Sequence, residues 1–159
     1  MRSALRSFVV ALAIVAVPAA AQAGTTAPAV SEQQVLALLN QARQQHHLGS
    51  LALSAPLRSA ARAHSADMLR NGYFDHDSPS ETFQARIGRY LASSLTGETI
   101  ARGVGSGGSP GALVNQWMRS ATHRTIILAP GLHRVGLGIA IGTVNGTRNV
   151  VLATADFAA

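Results

Sequence analysis

Two histidines and three aspartates fall within one short stretch, from His64 through Asp67, Asp75 and His76 to Asp77. A second chemical group follows at Gly97-Glu98-Thr99-Ile100, and a third at Trp117-Met118-Arg119-Ser120-Ala121-Thr122-His123-Arg124. Imidazoles and carboxylates are the common general acids and bases of hydrolysis, and beside a bound metal they help to activate water. Ser65, Ser78 and Ser120 are candidate nucleophiles near the histidines, although none stands in a Gly-x-Ser-x-Gly elbow. The sequence has no His-Glu-x-x-His pair. It also has neither cysteine nor lysine, which excludes thiol and Schiff-base chemistry. The glycine-rich run from Gly103 to Ser109 lacks the Gly-Lys-Ser/Thr ending of a phosphate cradle.

Periodicity shows which elements must position these residues. Ser31 with Gln34 fits a capping box, and Val35, Leu38, Leu39 and Ala42 recur at helical spacing up to about His46. Asn40 and Arg43 lie three apart on that helix, a spacing suited to tying it to a neighbouring loop. A second helix starts at Ser54, with Pro56 in its first turn, and stops at Asn71-Gly72. Its stripe of Leu57, Ala61, His64 and Met68 makes His64 a core histidine that needs a backbone or hydroxyl partner. Ser80 is expected to cap a short helix whose Phe83, Ile87 and Tyr90 or Leu91 face inward.

The run from Gly103 to Ser109 is expected to loop over the surface, and Ser109-Pro110 to open another helix. Leu113, Val114, Trp117 and Met118 give that helix an apolar face, so Trp117 reads as core and not as a stacking platform. From Arg134 the period becomes two, with bulky Val135, Leu137, Ile139 and Ile141 alternating with Gly136, Gly138, Ala140 and Gly142. Asn145-Gly146 signals a hairpin turn, and the segment from Asn149 to Phe157 returns as the partner strand. Helices first and an antiparallel hairpin last is an α+β order.

The length of 159 residues suits one domain, divided into residues 1–23, 24–30 and 31–159. Arg2 and Arg6 precede an apolar run from Phe8 to Ala21, and Ala21-Gln22-Ala23 is a small-residue cleavage site, so residues 1–23 read as a secretory signal peptide. Residues 24–30 read as a flexible leader, and no stable membrane span is expected once the signal is removed. That pattern predicts a secreted or periplasmic protein. The arginines are scattered singly, which argues against a nucleic-acid footprint despite a formal charge of +6.

Several short motifs occur together in one order: Leu39-Asn40 with Arg43; Leu57, Ala60-Ala61, His64-Ser65 and Asp67-Met68; Tyr73-Phe74 with His76; Gly97-Glu98-Thr99-Ile100; Trp117-Met118, Ser120 and His123-Arg124; Ile127-Leu128; and Val135-Gly136-Leu137-Gly138. In these the chain, from about Val35 to Phe157, resembles the CAP superfamily of cysteine-rich secretory proteins, antigen 5 and plant pathogenesis-related 1 proteins, in particular its bacterial, cysteine-free branch. The resemblance implies an α-β-α sandwich with a small central antiparallel sheet between helical layers. It also implies a cavity lined by two histidines and two glutamates, which holds a divalent metal in some members. The matching positions are His76, Glu98 and His123, whereas Ser120 stands where many members have the second glutamate, Thr99 replaces an asparagine, and Leu39 replaces a histidine.

Two imidazoles and a carboxylate form the ligand set of an open zinc site, so His76, Glu98 and His123 are candidate ligands of a divalent metal such as zinc. Alternatively, Glu98 accepts hydrogen bonds from one or both histidines and orders the cavity. His64, Asn40, Arg43, Trp117, Ser120 and Arg124 are expected to support the site. The favoured expectation is a non-enzymatic binding module for an envelope or extracellular lipid, glycan or peptide. The competing expectation is a metal-assisted or histidine-dependent hydrolase with Glu98 as general base.

Overall fold

The computed structural model describes residues 30–159; the expected signal peptide and nearly all of the leader fall outside them. In chain order the elements are α1 (Glu32–Gln45), β1 (Ala52–Leu53), α2 (Ala55–Asn71), α3 (Phe83–Tyr90), β2 (Thr96–Val104), α4 (Pro110–Arg119), α5 (Ala121–Ile127), β3 (Arg134–Val144) and β4 (Thr147–Ala158). The strands form one sheet in the order β1-β3-β4-β2. β4 runs antiparallel to both of its neighbours, β3 and β2, but the short β1 joins β3 in parallel, so the sheet is mixed and not purely antiparallel. Helices cover both faces, giving the three-layer α+β sandwich.

Glycine alternation in β3 decides how closely α2 can lie on the sheet. A Cβ at Gly136 would come 2.0 Å from the Leu57 carbonyl carbon, and one at Gly138 would come 2.2 Å from that of Ala61. Two residues of strand and four of helix both advance about 6–7 Å, so the two glycines match successive turns of α2. Partners across the sheet share a face, which places Asp156 and Glu98 with Gly136, and Thr154 and Ile100 with Gly138, under α2. The opposite face, with Val135, Leu137, Ala155 and Phe157, builds the main core together with Val35, Leu39, Leu113, Trp117 and Ile127.

Arg43 fixes the second helical layer. Its guanidinium is buried to 1% exposure and donates to the carbonyls of Gly49, Ile127, Ala129 and Leu132 at 2.7 to 3.1 Å. The Ile127 carbonyl ends α5 and that of Ala129 lies just beyond it, where the helix dipole favours a cation. Asn40 clamps the chain beside it, accepting from Leu51 N–H at 2.8 Å and donating to Leu51 O.

Several elements differ from the sequence expectation. Ser31 precedes α1 but makes no side-chain cap bond. Thr82, not Ser80, caps α3, accepting from Ala85 N–H, while Asp77 Oδ1 accepts from Phe83 N–H at 2.7 Å. Gly97 to Ile100 lies in β2, a strand the sequence reading leaves unassigned. The glycine run is exposed over much of its length but is more regular than a loop: Gly103 and Val104 end β2, and Gly105–Gly108 form a 3-10 turn packed back on it. A Cβ at Gly103 would stand 2.1 Å from the Gly107 oxygen, so the run is glycine-rich because two backbones touch.

Gly136→Ala should therefore cost about 3 kcal/mol or more, since its neighbour is helix backbone that cannot move aside. Gly88→Ala, in α3 with nothing near its Cβ, should instead add about 0.5–1 kcal/mol. Urea unfolding of both variants checks the pair, and equal effects would contradict the packing described.

Candidate functional site

β2 is an outer strand with α2 and α3 on one face and α4 and α5 on the other. His76, in the loop after α2, and His123, in α5, come from opposite layers and meet around the sheet margin with ring centroids 6.1 Å apart. Ser120 shapes this approach by capping α5, its Oγ accepting from His123 N–H. Arg124 lies on the exposed side of α5, where it donates to Met118 O. Trp117 is wholly buried in the core beneath.

Glu98 is the centre of the polar cluster. Its side chain is 1% exposed, and its two oxygens have different partners. Oε1 accepts from His76 Nδ1 at 2.8 Å, and Oε2 accepts from Arg86 Nη2 at 2.5 Å. Arg86 is itself 3% exposed and also donates through Nη1 to the His76 carbonyl at 3.1 Å, so one guanidinium holds both the carboxylate and the loop that carries the imidazole. The bond to Glu98 raises the His76 pKa, and that effect outweighs the lowering caused by burial. His123 donates nothing to Glu98: its Nδ1 is buried without a partner, and burial together with the neighbouring His76 lowers its pKa. The bonded cluster thus joins Glu98 to one histidine and to Arg86.

His64 lies below this cluster, 1% exposed, with Nε2 donating to the Asp75 carbonyl at 2.9 Å and standing 3.9 Å from Glu98 Oε2. Burial is the main reason its pKa is lowered, so it stays a neutral structural imidazole that pins the loop before His76. Two of the three aspartates of the same stretch also serve structure through their side chains. Asp67 accepts from Tyr73 Oη at 2.6 Å, Arg70 and Asn71, and Asp77 holds the start of α3. Ser65 Oγ lies 3.0 Å from the Gly138 carbonyl, and Ser78 Oγ donates to the Glu81 carbonyl. Neither is bonded to a histidine.

Two residues at the cluster escape the motif reading: Arg86, which is bonded to Glu98, and Asp156, its ladder partner in β4. Arg86 sits beside Ile87 on the inward face of an eight-residue helix, where an arginine needs a buried acid or carbonyl. Asp156 stands in β4, a central strand that is buried continuously from Val150 to Ala158. An aspartate in a strand without a solvent face is a signal available from sequence once the strand is known to be central.

The donor set does not fit a three-ligand metal. Glu98 already binds a guanidinium cation at one oxygen and an imidazole N–H at the other, and a second cation there would be repelled by Arg86. Among the described residues no three His, Cys, Asp or Glu side chains converge on a common point. Added zinc should therefore not stay bound at one equivalent per chain through desalting. Zinc retained at that level, and lost in Glu98→Gln, would contradict this arrangement.

The sequence model of the cysteine-rich secretory protein family, CAP, matches residues 36–156. The uncharacterized protein YkwD of Bacillus subtilis is 36% identical over 109 residues, covering 67% of this chain and 41% of that protein. The chain thus spans about two fifths of that relative's length. An extracellular protein containing an SCP domain from Bacillus anthracis is 31% identical with a TM-score of 0.66, covering 79% of this chain and 39% of the other. An outer surface protein of Borrelia burgdorferi shares the fold at 21% identity and a TM-score of 0.67, covering 79% and 89% of the two chains. With the family match spanning most of the chain and the sandwich shared with an SCP-domain protein at 31% identity, this protein belongs to the cysteine-rich secretory protein (CAP) family.

Proposed function

We propose that the protein is an exported, non-enzymatic binding module whose His76 and His123 receive an anionic group of an envelope or extracellular ligand. The observation that carries this reading is the contrast between the two sides of one hydrogen bond. Glu98 is 1% exposed with both oxygens engaged, whereas the His76 side chain is 46% exposed. Since Nδ1 serves Glu98, Nε2 is the ring nitrogen left for a ligand. Such a site offers a charge-assisted donor to an incoming oxygen but no free carboxylate to activate water. The chain's basic balance, +6 formally and +4 once Arg2 and Arg6 leave with the signal, favours an anionic ligand.

A hydrolase would need a mobile base or nucleophile. The candidate serines are committed elsewhere, to a buried strand carbonyl, a turn and a helix cap. Export is supported by the basic and apolar start of the sequence, and similar proteins are described as extracellular or outer-surface. Among the described residues no helix is long and apolar enough to cross a membrane.

Three ligand chemistries fit the imidazole pair: an anionic lipid headgroup, an acidic glycan and an acidic peptide. Titrating the labelled domain with anionic vesicles, uronic-acid oligosaccharides and Asp/Glu peptides, while following the imidazole resonances, separates them. One class should shift both His76 and His123, and His76→Ala should weaken it about tenfold or more. Because the folded His76 pKa is raised, the imidazolium persists somewhat above its usual range. Binding should be strongest below about pH 6.5 and decline as pH rises through the folded value. Binding that leaves both imidazoles unmoved, or substrate turnover abolished by His123→Ala, would overturn the proposal. Mass spectrometry of exported protein should give a chain starting at Gly24, and an intact Met1 would contradict export by cleavage.

A further inference from the structure

Asp156 is fully buried, and neither of its carboxyl oxygens meets a donor from the backbone, Arg86 or any other side chain. It stands directly opposite Glu98 across the β2–β4 ladder and opposite Gly136 on its other flank, where the backbone of α2 closes over the glycine. Directly paired residues of neighbouring strands project to the same face, which sets its carboxyl beside that of Glu98. Two carboxylate oxygens cannot bond to each other unless a proton lies between them. Glu98 is committed as the acceptor of an arginine and of a histidine N–H, so the proton belongs to Asp156.

We infer that Asp156 is a positioning residue of this site: a neutral carboxylic acid that donates its O–H to Glu98 from the interior. Glu98 then carries the cluster's single negative charge, shared with Arg86 and His76. The charged and titratable groups facing the pair support this assignment from each side. α3 contributes one cation, Arg86; α2 contributes His64, which burial keeps neutral; the following loop contributes Tyr73, whose ionisation is suppressed, and His76. One buried guanidinium can balance one carboxylate, and a second unpaired negative charge at zero exposure would be prohibitive. Burial, reinforced by the Glu98 charge, holds the Asp156 carboxyl in its acid form well above the usual carboxylate range.

The assignment has a functional consequence. With Asp156 neutral, the charge that supports a cationic His76 comes chiefly from Glu98, and the O–H bond holds that carboxylate in place for it. The sign of the stability effect also follows. A carboxyl whose folded pKa is raised binds its proton more tightly when folded. The resulting stabilisation is complete below the unfolded value near 4 and is lost as pH rises through the folded value. Asp156→Asn, which keeps a donor and cannot ionise, should remove that slope.

The experiment is a pH titration of full-length mature protein by NMR, following the side-chain carboxyl carbon of Asp156 and the ring of His76. The Asp156 carbon should keep the shift of a protonated acid beyond the pH at which ordinary carboxylates ionise, and still at neutral pH. In Asp156→Asn the His76 midpoint should stay in place, because no charge has been removed, whereas in Glu98→Gln it should fall by about one unit or more. An ionised Asp156 shift at neutral pH overturns the inference, and so does a His76 midpoint that falls in Asp156→Asn. Should the asparagine variant not fold, the carboxyl shift in the unaltered protein still decides. These readouts need no ligand, so failure of the binding proposal would not be mistaken for failure here.

Discussion

A carboxylate at 1% exposure under a packed helix is tolerable when a cation lies against it and each oxygen has a donor. Glu98 meets that condition through Arg86 and His76, and much of the surrounding geometry answers the same requirement. Arg86 reaches Glu98 because α3 is anchored by Ile87 in a small cluster with Leu57, Ala60 and Ala158. His76 reaches it because His64 grips the loop one residue earlier and Arg86 grips the His76 carbonyl. The interaction therefore couples α2, α3, the loop between them and β2.

The other layer is positioned by a second buried arginine with a different solution. Arg43 has no carboxylate partner and is satisfied by four carbonyls, two of them at or just beyond the C-terminal end of α5. Ser120 caps the opposite end of α5, and His123 lies between these fixed points. His76 and His123 are thus held from separate layers by separate buried charges, and a ligand bridging them would span the sheet margin.

Much of this was legible in the sequence and some was not. The stripe through Leu57, Ala61, His64 and Met68 located α2, and the alternation of glycine with bulky residues located β3, because both patterns repeat the geometry of one packed face. Asn145-Gly146 marked the hairpin because both residues adopt positive φ. β2 was missed because a strand buried on both faces has no alternation to detect, and Gly97 and Gly103 dilute its propensity. His76, Glu98 and His123 were found through the family's motifs, and two of the three share a hydrogen bond. Arg86 and Asp156 lie outside those motifs. Their importance follows from the charge balance around Glu98, which can be assessed once the chain has folded and the groups facing it are known.

The central claim is that Arg86 is the counter-charge that makes burial of Glu98 tolerable. Its most direct test is a double-mutant cycle of Glu98→Gln and Arg86→Met, read by urea unfolding at neutral pH with chelator present. Each single change should cost about 3 kcal/mol or more, because each leaves a buried polar group without its partner. The double variant should be little worse than either single variant, giving a coupling of about 2 kcal/mol or more. Losses that simply add, to within about 0.5 kcal/mol, would show that the two side chains do not depend on one another and would contradict the account.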